Sequence, residues 1–310
     1  MNNKDFIKKD NDNYSKEETQ ASILSEALPF IKEFADETFV VKYGGSAIGN
    51  NPSFLSFIKN IALLKSVGIN IILIHGGGPQ IDNMLKRLNI ESNFVDGLRV
   101  TDAQTIEIVE SVLCGSINKY IVEQISKQGQ KAIGVSGKDY DLMKAEKLTA
   151  VYKKSASGFQ KVEQLVNLGF VGKPILINND FFAMSQEMDF IPVIAPVATG
   201  NDGYTYNMNA DTVAGAIAVS VGAKKLILLS DVDGIYDKDK NKISTITNEK
   251  SKELIADGTI KGGMIPKIET ATAAVENGVD KAHIISGLRE NAILLEILTK
   301  EGTGTMIVED

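Results

Sequence analysis

Cysteine and histidine are scarce in this chain: its 310 residues include one cysteine, Cys114, and two histidines, His75 and His283. A single thiol excludes an internal disulfide, so a reducing compartment is expected and the predicted location is cytoplasmic. The same scarcity argues against a zinc site made of histidine and cysteine. Cys114 falls among apolar residues of a predicted helix and is expected to be a small core residue.

Long apolar runs are missing as well. No stretch approaches the roughly 20 apolar residues that a membrane-spanning helix needs, so no membrane association is expected. Residues 1–20, MNNKDFIKKDNDNYSKEETQ, are polar and lack the apolar segment of a signal peptide, which predicts a disordered tail. The net charge of −7 would repel a nucleic-acid backbone, so nucleic acid is not an expected partner. An anionic ligand would need lysines and arginines placed close to it.

The most informative stretch is residues 69–80, INIILIHGGGPQ, where an apolar run ends at His75 and three glycines precede Pro79. Four consecutive apolar residues without alternation predict a strand buried on both faces of a parallel sheet. Glycines followed by a proline predict bare backbone N–H groups at a helix start, which can bind an anion. A turn with no ligand would need only one glycine, so the triplet favours the anion site. His75 has no serine or carboxylate partner nearby in sequence and is assigned a structural role.

The same strand-to-glycine junction recurs along the chain, at Gly44 and Gly45 and again at residues 230–234. Strands alternating with helices predict an α/β fold with a mainly parallel sheet. The second half is expected to begin near residue 199. Predicted strands cover 38–43, 71–74, 131–135, 191–195, 226–229, 282–285 and 305–308, and rim hairpins are expected within 140–175.

Helix ends are marked by caps. Thr101 and Gln104 predict a capping box for a long helix that ends near Gly129. Asn209 is expected to cap a helix at 210–221, and further helices are predicted at 52–67, 251–257 and 265–277. A helix at 21–35 carries Pro29 inside it, which predicts a kink, and its apolar face would pack on its own domain or on another subunit.

Several charged residues stand where a structural role explains them poorly. Lys42 ends an apolar strand just before glycines, where an unpaired cation is costly unless it faces an anion, although a lysine can also extend its ammonium group to solvent. Lys267 opposes the dipole of the helix that it begins. Asp211 could stabilise its own helix start or serve a site, and Arg99 could grip a carboxylate or lie at the surface. Asp231 and Asp233 could touch a nucleotide or cap a turn.

Taken together, glycine-rich strand ends, two separated lysines, an arginine and no histidine placed as a base suit phosphoryl transfer. That reaction depends mostly on positioning and on neutralising charge. A dinucleotide oxidoreductase is the weaker hypothesis, because His-Gly-Gly-Gly-Pro is not the GxGxxG pattern.

Five motifs make the chain resemble the amino acid kinase family over residues 21–308, and within it the branch that acts on N-acetyl-L-glutamate. The motifs are 41–47 (VKYGGSA), 75–81 (HGGGPQI), 97–101 (GLRVT), 206–211 (YNMNAD) and 229–235 (LSDVDGI). The resemblance implies an α/β three-layer sandwich around a mainly parallel central sheet, with two lobes that share the sheet. It assigns 37–198 to an acetylglutamate-binding lobe and 199–310 to a nucleotide-binding lobe.

The resemblance further implies that ATP, arriving with Mg²⁺, phosphorylates the side-chain carboxylate of N-acetyl-L-glutamate in arginine synthesis. Lys42, Lys267 and Asp211 would be the catalytic residues, and no residue is assigned to a metal. Substrate would be bound by Gly44, Gly45, Gly77, Gly78, Arg99, Asn207 and Asn209. Nucleotide would be bound by Ser230, Asp231, Val232, Asp233, Gly234, Ile235, Tyr236, Thr259, Ile260 and Lys261.

Regulation and assembly are implied by the same resemblance. Family members that arginine inhibits have a kinked N-terminal helix that links dimers into a hexamer, which assigns that role to residues 21–36. The segment 294–305 resembles the arginine-site end of those enzymes, whereas Arg289 and Asn291 depart from their pattern. The alternatives are a non-catalytic amino-acid or nucleotide sensor on the same fold, or a related kinase for aspartate or glutamate. Loss of Lys42, Lys267 and Asp211 would favour the sensor, and all three residues are present.

Overall fold

The seven predicted strands all belong to one sheet in the computed structural model, which describes residues 15–95, 97–148, 151–153, 162–164 and 167–310. The strands are β1 (Thr38–Tyr43), β2 (Asn70–His75), β3 (Phe94–Val95), β4 (Leu98–Arg99), β5 (Ala132–Ser136), β6 (Met143–Lys147), β7 (Val151–Lys153), β8 (Val162–Gln164), β9 (Val171–Ile177), β10 (Ile191–Ala195), β11 (Val197–Gly200), β12 (Thr205–Met208), β13 (Lys225–Ser230), β14 (Ile235–Tyr236), β15 (Lys242–Ile243), β16 (Thr245–Thr247), β17 (Lys281–Ser286) and β18 (Thr305–Val308). The helices are α1 (Lys16–Phe34), α2 (Pro52–Ser66), α3 (Gly78–Arg87), α4 (Ala103–Glu110), α5 (Asn118–Lys127), α6 (Asp180–Glu187), α7 (Ala210–Ser220), α8 (Asn248–Ala256), α9 (Met264–Glu276) and α10 (Ala292–Leu298).

The central sheet has eight strands in the order β16-β18-β17-β13-β1-β2-β10-β5. Its six strands from β17 to β5 pair in parallel, and β18 runs antiparallel to β17. Because parallel neighbours share a direction, β1, β2, β10, β13 and β17 all end at the same edge of the sheet. The predicted strand–glycine junctions therefore meet there.

Two apolar cores cover the two faces of the sheet. One core contains side chains of α6, α7, α8 and α9 packed on Val40, Leu226 and Leu228. The other contains side chains of the remaining six helices packed on Val41 and Ile227. The chain is thus a three-layer α/β sandwich, and the predicted fold class is confirmed. No helix in the described part of the chain is both long and apolar enough to span a bilayer.

The N-terminal helix begins earlier than the sequence predicted. Residues 15–20 were expected in a disordered tail, yet α1 starts at Lys16 because Ser15 and Glu18 form a reciprocal capping box. Pro29 lies inside this helix. Residues 1–14, the rest of the predicted tail, lie outside the described residues.

The start of the next long helix was also predicted wrongly. Thr101 was expected to cap it, but Asp102 does so, accepting a hydrogen bond from the Thr105 backbone N–H at 2.8 Å. Thr101 is instead buried, and its backbone N–H and C=O pair with Leu168 and Phe170. The helix is interrupted by a π-helical segment at Ser111–Ile117, which periodicity alone did not indicate.

The predicted boundary at 198/199 passes through a strand. β11 and β12 form a hairpin that closes a four-stranded barrel with β6 and β9, so the hairpin belongs structurally with the first half. Antiparallel pairing of β6 with β9 and of β7 with β8 agrees with the expected rim hairpins. Within that region, residues 149–150, 154–161 and 165–166 lie outside the described residues.

Candidate active site

The centre of the site is one carboxylate held between two lysines. Lys42 is buried at the end of β1, on the sheet face covered by α7 and α9, and its Nζ lies 2.8 Å from one oxygen of Asp211. Lys267, in the first turn of α9, places its Nζ 2.6 Å from the other oxygen. Asp211 is fixed in the first turn of α7 because the Asn209 side chain accepts hydrogen bonds from the N–H groups of Asp211 and Thr212. Residues far apart in sequence thus form one cluster.

Burial and charge act against each other in this cluster. Burial lowers the pKa of Lys42 below its ordinary value, and the nearby Lys267 adds to that effect, although Asp211 opposes it. Burial alone would raise the pKa of Asp211, but the two lysines outweigh it and hold that pKa below its usual range. Two ammonium groups and one carboxylate leave one positive charge in excess. The cluster is therefore suited to receive an anion.

Two cavities meet at Lys42. The first, cavity A, is lined by Lys42, Gly44, Ser46, Ala47, Leu229, Ser230, Asp231, Lys267, Gly287 and Leu288. The second, cavity B, is lined by Lys42, Gly45, Gly76, Gly77, Gly78, Ile81, Phe94, Gly97, Leu98, Arg99, Leu113, Val171, Pro196, Asn207, Met208, Asn209, Ala210 and Asp211. Lys42 lines both, so a group passing between the two cavities would pass the lysine cluster.

The glycine backbones of the two junctions approach each other beside this cluster. A Cβ at Gly45 would lie 2.5 Å from the Gly77 nitrogen, so only glycine permits the contact. Within the described residues, the N–H groups of Gly77 and Gly78 have no protein acceptor. Gly77 is the N-cap of α3, where free N–H groups favour negative charge.

Arg99 lies on the wall of cavity B and is already paired. Its guanidinium contacts Asp82 at 2.5 Å, also donates to Ser92, and lies 4.6 Å from the centre of the Phe94 ring. The hydrogen bond from Arg99 lowers the pKa of Asp82. Arg99 is almost fully buried whereas Asp82 is exposed, so an arriving carboxylate could take the place of Asp82. Asn207, on β12, is half-buried on the same wall.

The predicted nucleotide-binding residues are divided in the structure. Ser230 and Asp231 line cavity A beside the two lysines. Val232, Asp233, Tyr236 and Lys261 are exposed, and Thr259 is half-buried with its hydroxyl on Asp257. The side chains of Ile235 and Ile260 belong to the apolar core, and Gly234 packs against Thr305. Sequence reasoning assigned no role to Ser46, although it lies in the 41–47 motif. It also missed Gly287 and Leu288, which reach cavity A from a loop that carries no local motif.

A second buried ionic cluster lies on the opposite face of the sheet. His283 Nδ1 donates to Glu296 at 2.7 Å, and Lys225 Nζ lies 3.2 Å from His283 Nε2 and 4.9 Å from the centre of the Phe34 ring. Glu296 also accepts hydrogen bonds from the backbone N–H groups of Thr303 and Gly304. Local sequence patterns did not predict this cluster, because its members come from β13, β17 and α10.

Fold and site together define an α/β phosphotransferase, in which two lysines on one carboxylate lie between two cavities at the carboxyl edge of a parallel sheet. Residues 37–286 match the amino acid kinase family, and the chain belongs to that family.

Several relatives are similar over nearly their whole length. The acetylglutamate kinase of Rhizorhabdus wittichii is 51% identical over 289 residues, covering 93% of this chain and 95% of the relative. The acetylglutamate kinase of Bradyrhizobium diazoefficiens is 49% identical over 288 residues, covering 93% and 97%.

Solved structures have the same fold at lower identity. The protein smu.665 of Streptococcus mutans superposes with a TM-score of 0.70 at 28% identity, covering 88% of this chain and 99% of its own. The N-acetylglutamate synthase of Neisseria gonorrhoeae gives 0.81 at 21% identity, and 94% of this chain matches 63% of that longer protein. The latter similarity concerns the fold alone.

Proposed function

We propose that this chain transfers the γ-phosphoryl group of ATP to the side-chain carboxylate of N-acetyl-L-glutamate, giving N-acetyl-L-glutamyl 5-phosphate for arginine biosynthesis. The observation that carries the proposal is the cluster of Lys42, Asp211 and Lys267 between two cavities. The high identity to relatives named acetylglutamate kinase supports the choice of substrate.

The acceptor occupies cavity B in this proposal. Arg99 and Asn207 bind its α-carboxylate, and Arg99 then exchanges Asp82 for the substrate. The side-chain carboxylate of the acceptor reaches towards Lys42 between the glycine loops. It needs no general base, because a carboxylate is already ionised at neutral pH.

ATP occupies the side of cavity A, with Ser230 and Asp231 nearest the lysines and residues 232–236 and 259–261 bordering the rest of the nucleotide. Cavity A has one carboxylate among its lining side chains, a donor set that suits phosphate oxygens better than a dedicated cation site. Magnesium would therefore arrive on the phosphates of ATP and neutralise part of their charge.

The reaction is an in-line displacement at the γ-phosphorus. A carboxylate oxygen of the acceptor forms the new P–O bond, the bond to the bridging oxygen breaks, and ADP leaves with that electron pair. Lys42 and Lys267 neutralise charge on the transferring group, while the N–H groups of Gly77 and Gly78 donate to its oxygens. Asp211 orients both ammonium groups and stays ionised throughout, as its lowered pKa requires.

The test is an acyl-phosphate assay with hydroxylamine trapping, in which N-acetyl-L-glutamate, L-glutamate and L-aspartate are compared at equal concentration. We expect product from N-acetyl-L-glutamate, with kcat/KM for the other two acids lower by at least about 10²-fold, since both lack the acetyl group and L-aspartate is also shorter by one methylene. ATP binding without any acyl phosphate would favour a non-catalytic sensor. Preference for glutamate or aspartate would favour a related kinase.

We propose that α1 joins copies of the chain into a hexamer. Ile23, Leu24 and Leu28 are each at least 60% exposed on this helix, whereas its C-terminal end packs on the domain through Phe30 and Phe34. An apolar helix face without a partner in its own chain is typical of a subunit contact.

The double substitution Leu24→Glu and Leu28→Glu should convert hexamers to dimers in light scattering. A variant that remains hexameric would contradict this role.

We also propose that arginine inhibits the enzyme through the segment 294–305 and the adjoining end of α1. The resemblance of that segment to arginine-sensitive enzymes supports the proposal, and α1 and α10 are in contact. Inhibition by arginine should be present in the natural chain and weakened in the α1 double variant at unchanged basal kcat. Equal inhibition of both forms would remove α1 from the regulatory site.

A further inference from the structure

His75 makes two hydrogen bonds that the proposed mechanism does not use. It is the last residue of β2, is fully buried, and lies next to the glycine loop. Its Nδ1 is 3.1 Å from the carbonyl oxygen of Gly76, and its Nε2 is 3.2 Å from the side-chain nitrogen of Asn118. The imidazole thus connects the glycine loop to the start of α5.

The partners determine where the imidazole proton lies. A carbonyl oxygen only accepts, so Nδ1 carries the hydrogen and Nε2 is left with a lone pair. Asn118 donates one amide hydrogen to that lone pair and the other to the Val193 carbonyl at 2.9 Å. Burial lowers the pKa of His75 to about 4, and the positive charge of Lys119 adds to the effect. His75 is therefore neutral near pH 7 and held in one tautomer.

The hydrogen bond to Gly76 fixes a peptide plane that faces the site. The Gly76 carbonyl and the Gly77 N–H belong to the same trans peptide unit, so the direction of one sets the direction of the other. The Gly76 N–H donates to the Tyr43 carbonyl at 3.0 Å, which anchors the preceding peptide as well. Holding the Gly76 carbonyl thus aims the N–H of Gly77, a residue that lines cavity B.

The π-helical segment supports the same loop. It ends where Asn118 begins α5, and it packs Leu113 and Ile117 so tightly on Gly77 that a Cβ there would lie 2.6 and 2.5 Å from them. Single π-turns are frequent at functional sites because they change which residues face a neighbour. Here the segment brings two apolar contacts and the Asn118 amide to the glycine loop together. Gly134 leaves room for that amide, since a Cβ there would lie 1.8 Å from Asn118 Oδ1.

We propose that His75 and Asn118 are positioning residues for phosphoryl transfer. The Nδ1–H of His75 holds the Gly76–Gly77 peptide so that the Gly77 N–H meets the transferring group, and Asn118 keeps the imidazole in the tautomer that can do so. This proposal rests on the proposed function, because the oriented Gly77 N–H has a role only in that reaction.

The test compares His75→Asn with His75→Leu in the full-length enzyme. The Asn side-chain nitrogen takes nearly the place of Nδ1 and can still donate to Gly76, whereas Leu has similar volume and no donor. His75→Leu should lower kcat about 10- to 100-fold, with the KM values for ATP and N-acetyl-L-glutamate within about twofold. A misdirected Gly77 N–H loses its hydrogen bond mainly in the transition state. His75→Asn should recover most of that loss.

Binding of a transition-state mimic provides a readout besides turnover. The Kd of ADP with aluminium fluoride and N-acetyl-L-glutamate should rise about 10- to 100-fold in His75→Leu, while the Kd of a non-hydrolysable ATP analogue stays within about twofold. Equal kcat in His75→Leu and the natural enzyme would overturn the proposal. So would an equal fall in both His75 variants, which would indicate packing alone.

A second variant covers the case in which His75→Leu does not fold. Asn118→Ala leaves the imidazole in place but frees its tautomer, so kcat should fall about tenfold at unchanged KM. Unchanged kcat there would also overturn the proposal. Absence of phosphoryl transfer in the natural enzyme would instead refute the proposed function, so the two failures are distinguishable.

Discussion

Two buried ionic clusters lie on opposite faces of the same sheet, and they differ in what surrounds them. Among the residues that the structure describes, only Lys42 and Lys267 hold the Asp211 side chain, and Lys42 opens onto two cavities. Glu296 accepts hydrogen bonds from His283 and from two backbone N–H groups. Buried charge by itself does not distinguish a catalytic site from a structural cluster. Access to a cavity and an uncompensated positive charge do.

The pKa values follow the same difference. Burial alone would raise the pKa of Glu296, yet His283 and the backbone donors bring it to about 2, so the carboxylate is fully satisfied. Burial lowers the pKa of Lys225 to about 8, under the Phe34 ring at the end of α1. This cluster anchors α1, α10 and the sheet to one another. The cluster at Asp211 has an excess positive charge that its own residues leave uncompensated.

The largest expected effect comes from exchanging each carboxylate for its amide. Asp211→Asn should lower kcat by about 10²- to 10³-fold, the scale for losing a preorganised charge-stabilising group, because an amide holds two ammonium groups poorly. Glu296→Gln should leave kcat within about threefold. The measurement is steady-state kcat with ATP and N-acetyl-L-glutamate. Equal losses of kcat in the two variants would show that the two clusters do not differ in their catalytic role.

The next effect is the pH dependence of stability, which distinguishes the two clusters because only the Glu296 cluster contains a histidine. His283 and His75 both have pKa values lowered by burial, so below the ordinary value of 6.5 the unfolded chain takes up protons that the folded chain does not. The free energy of unfolding should therefore fall as pH decreases from 6.5 towards 5, by up to about 1.4 kcal/mol per pH unit for each histidine.

Chemical denaturation at several pH values measures this slope. His283→Asn should remove about half of the histidine contribution and leave the part due to His75. A slope unaffected by that substitution would show that His283 is not neutral in the folded chain.

A smaller effect is expected on stability at neutral pH. Glu296→Gln should lower the free energy of unfolding by about 2 kcal/mol, since hydrogen bonds to a charged acceptor typically contribute 1.5–3 kcal/mol. Lys42→Met should cost less, because Lys267 and Asp211 remain as a balanced pair. Denaturant titration at pH 7 compares the two variants. A larger loss of unfolding free energy in Lys42→Met would show that the Glu296 cluster is not the more important one for stability.

The smallest effect concerns Arg99, whose ion pair is intermediate between the two clusters: one partner is buried and the other is 45% exposed. Arg99→Lys should raise KM for N-acetyl-L-glutamate about tenfold with kcat within about threefold, because lysine lacks the planar bidentate fork. Initial rates over a range of acceptor concentration measure the split. A fall confined to kcat would move Arg99 from binding to the chemical step.

Much of the fold followed from local sequence. Continuous apolar runs predicted β1, β2 and β13, and the predicted helix starts at residue 52 and, after the Asn209 cap, at residue 210 are those of α2 and α7. Strand burial and helix capping depend on neighbours in the chain, so local sequence is enough to predict them. The start of α1 and the cap at Asp102 were missed. The polar composition of residues 1–20 outweighed the local Ser15–Glu18 capping box at the first place. At the second, the backbone pairing of Thr101 with Leu168 and Phe170 leaves the adjacent Asp102 as the cap.

The candidate site was predictable where a residue contradicts its surroundings. Lys42 in an apolar strand and Lys267 at a helix start are both costly without an anion, and the structure places both on Asp211. His75 with Asn118, and Lys225 with His283 and Glu296, gave no such indication. Each member suits its own element, and the contact exists only after the sheet and helices have packed.

The most direct test of the account is the single-turnover rate of phosphoryl transfer from ATP to N-acetyl-L-glutamate in Lys42→Met and Lys225→Met. Both substitutions remove one buried ammonium group from a cluster that contains a carboxylate. We expect a rate at least about 10²-fold lower in Lys42→Met and within about twofold of the natural enzyme in Lys225→Met. A rate unchanged in Lys42→Met would contradict the assignment of the catalytic centre.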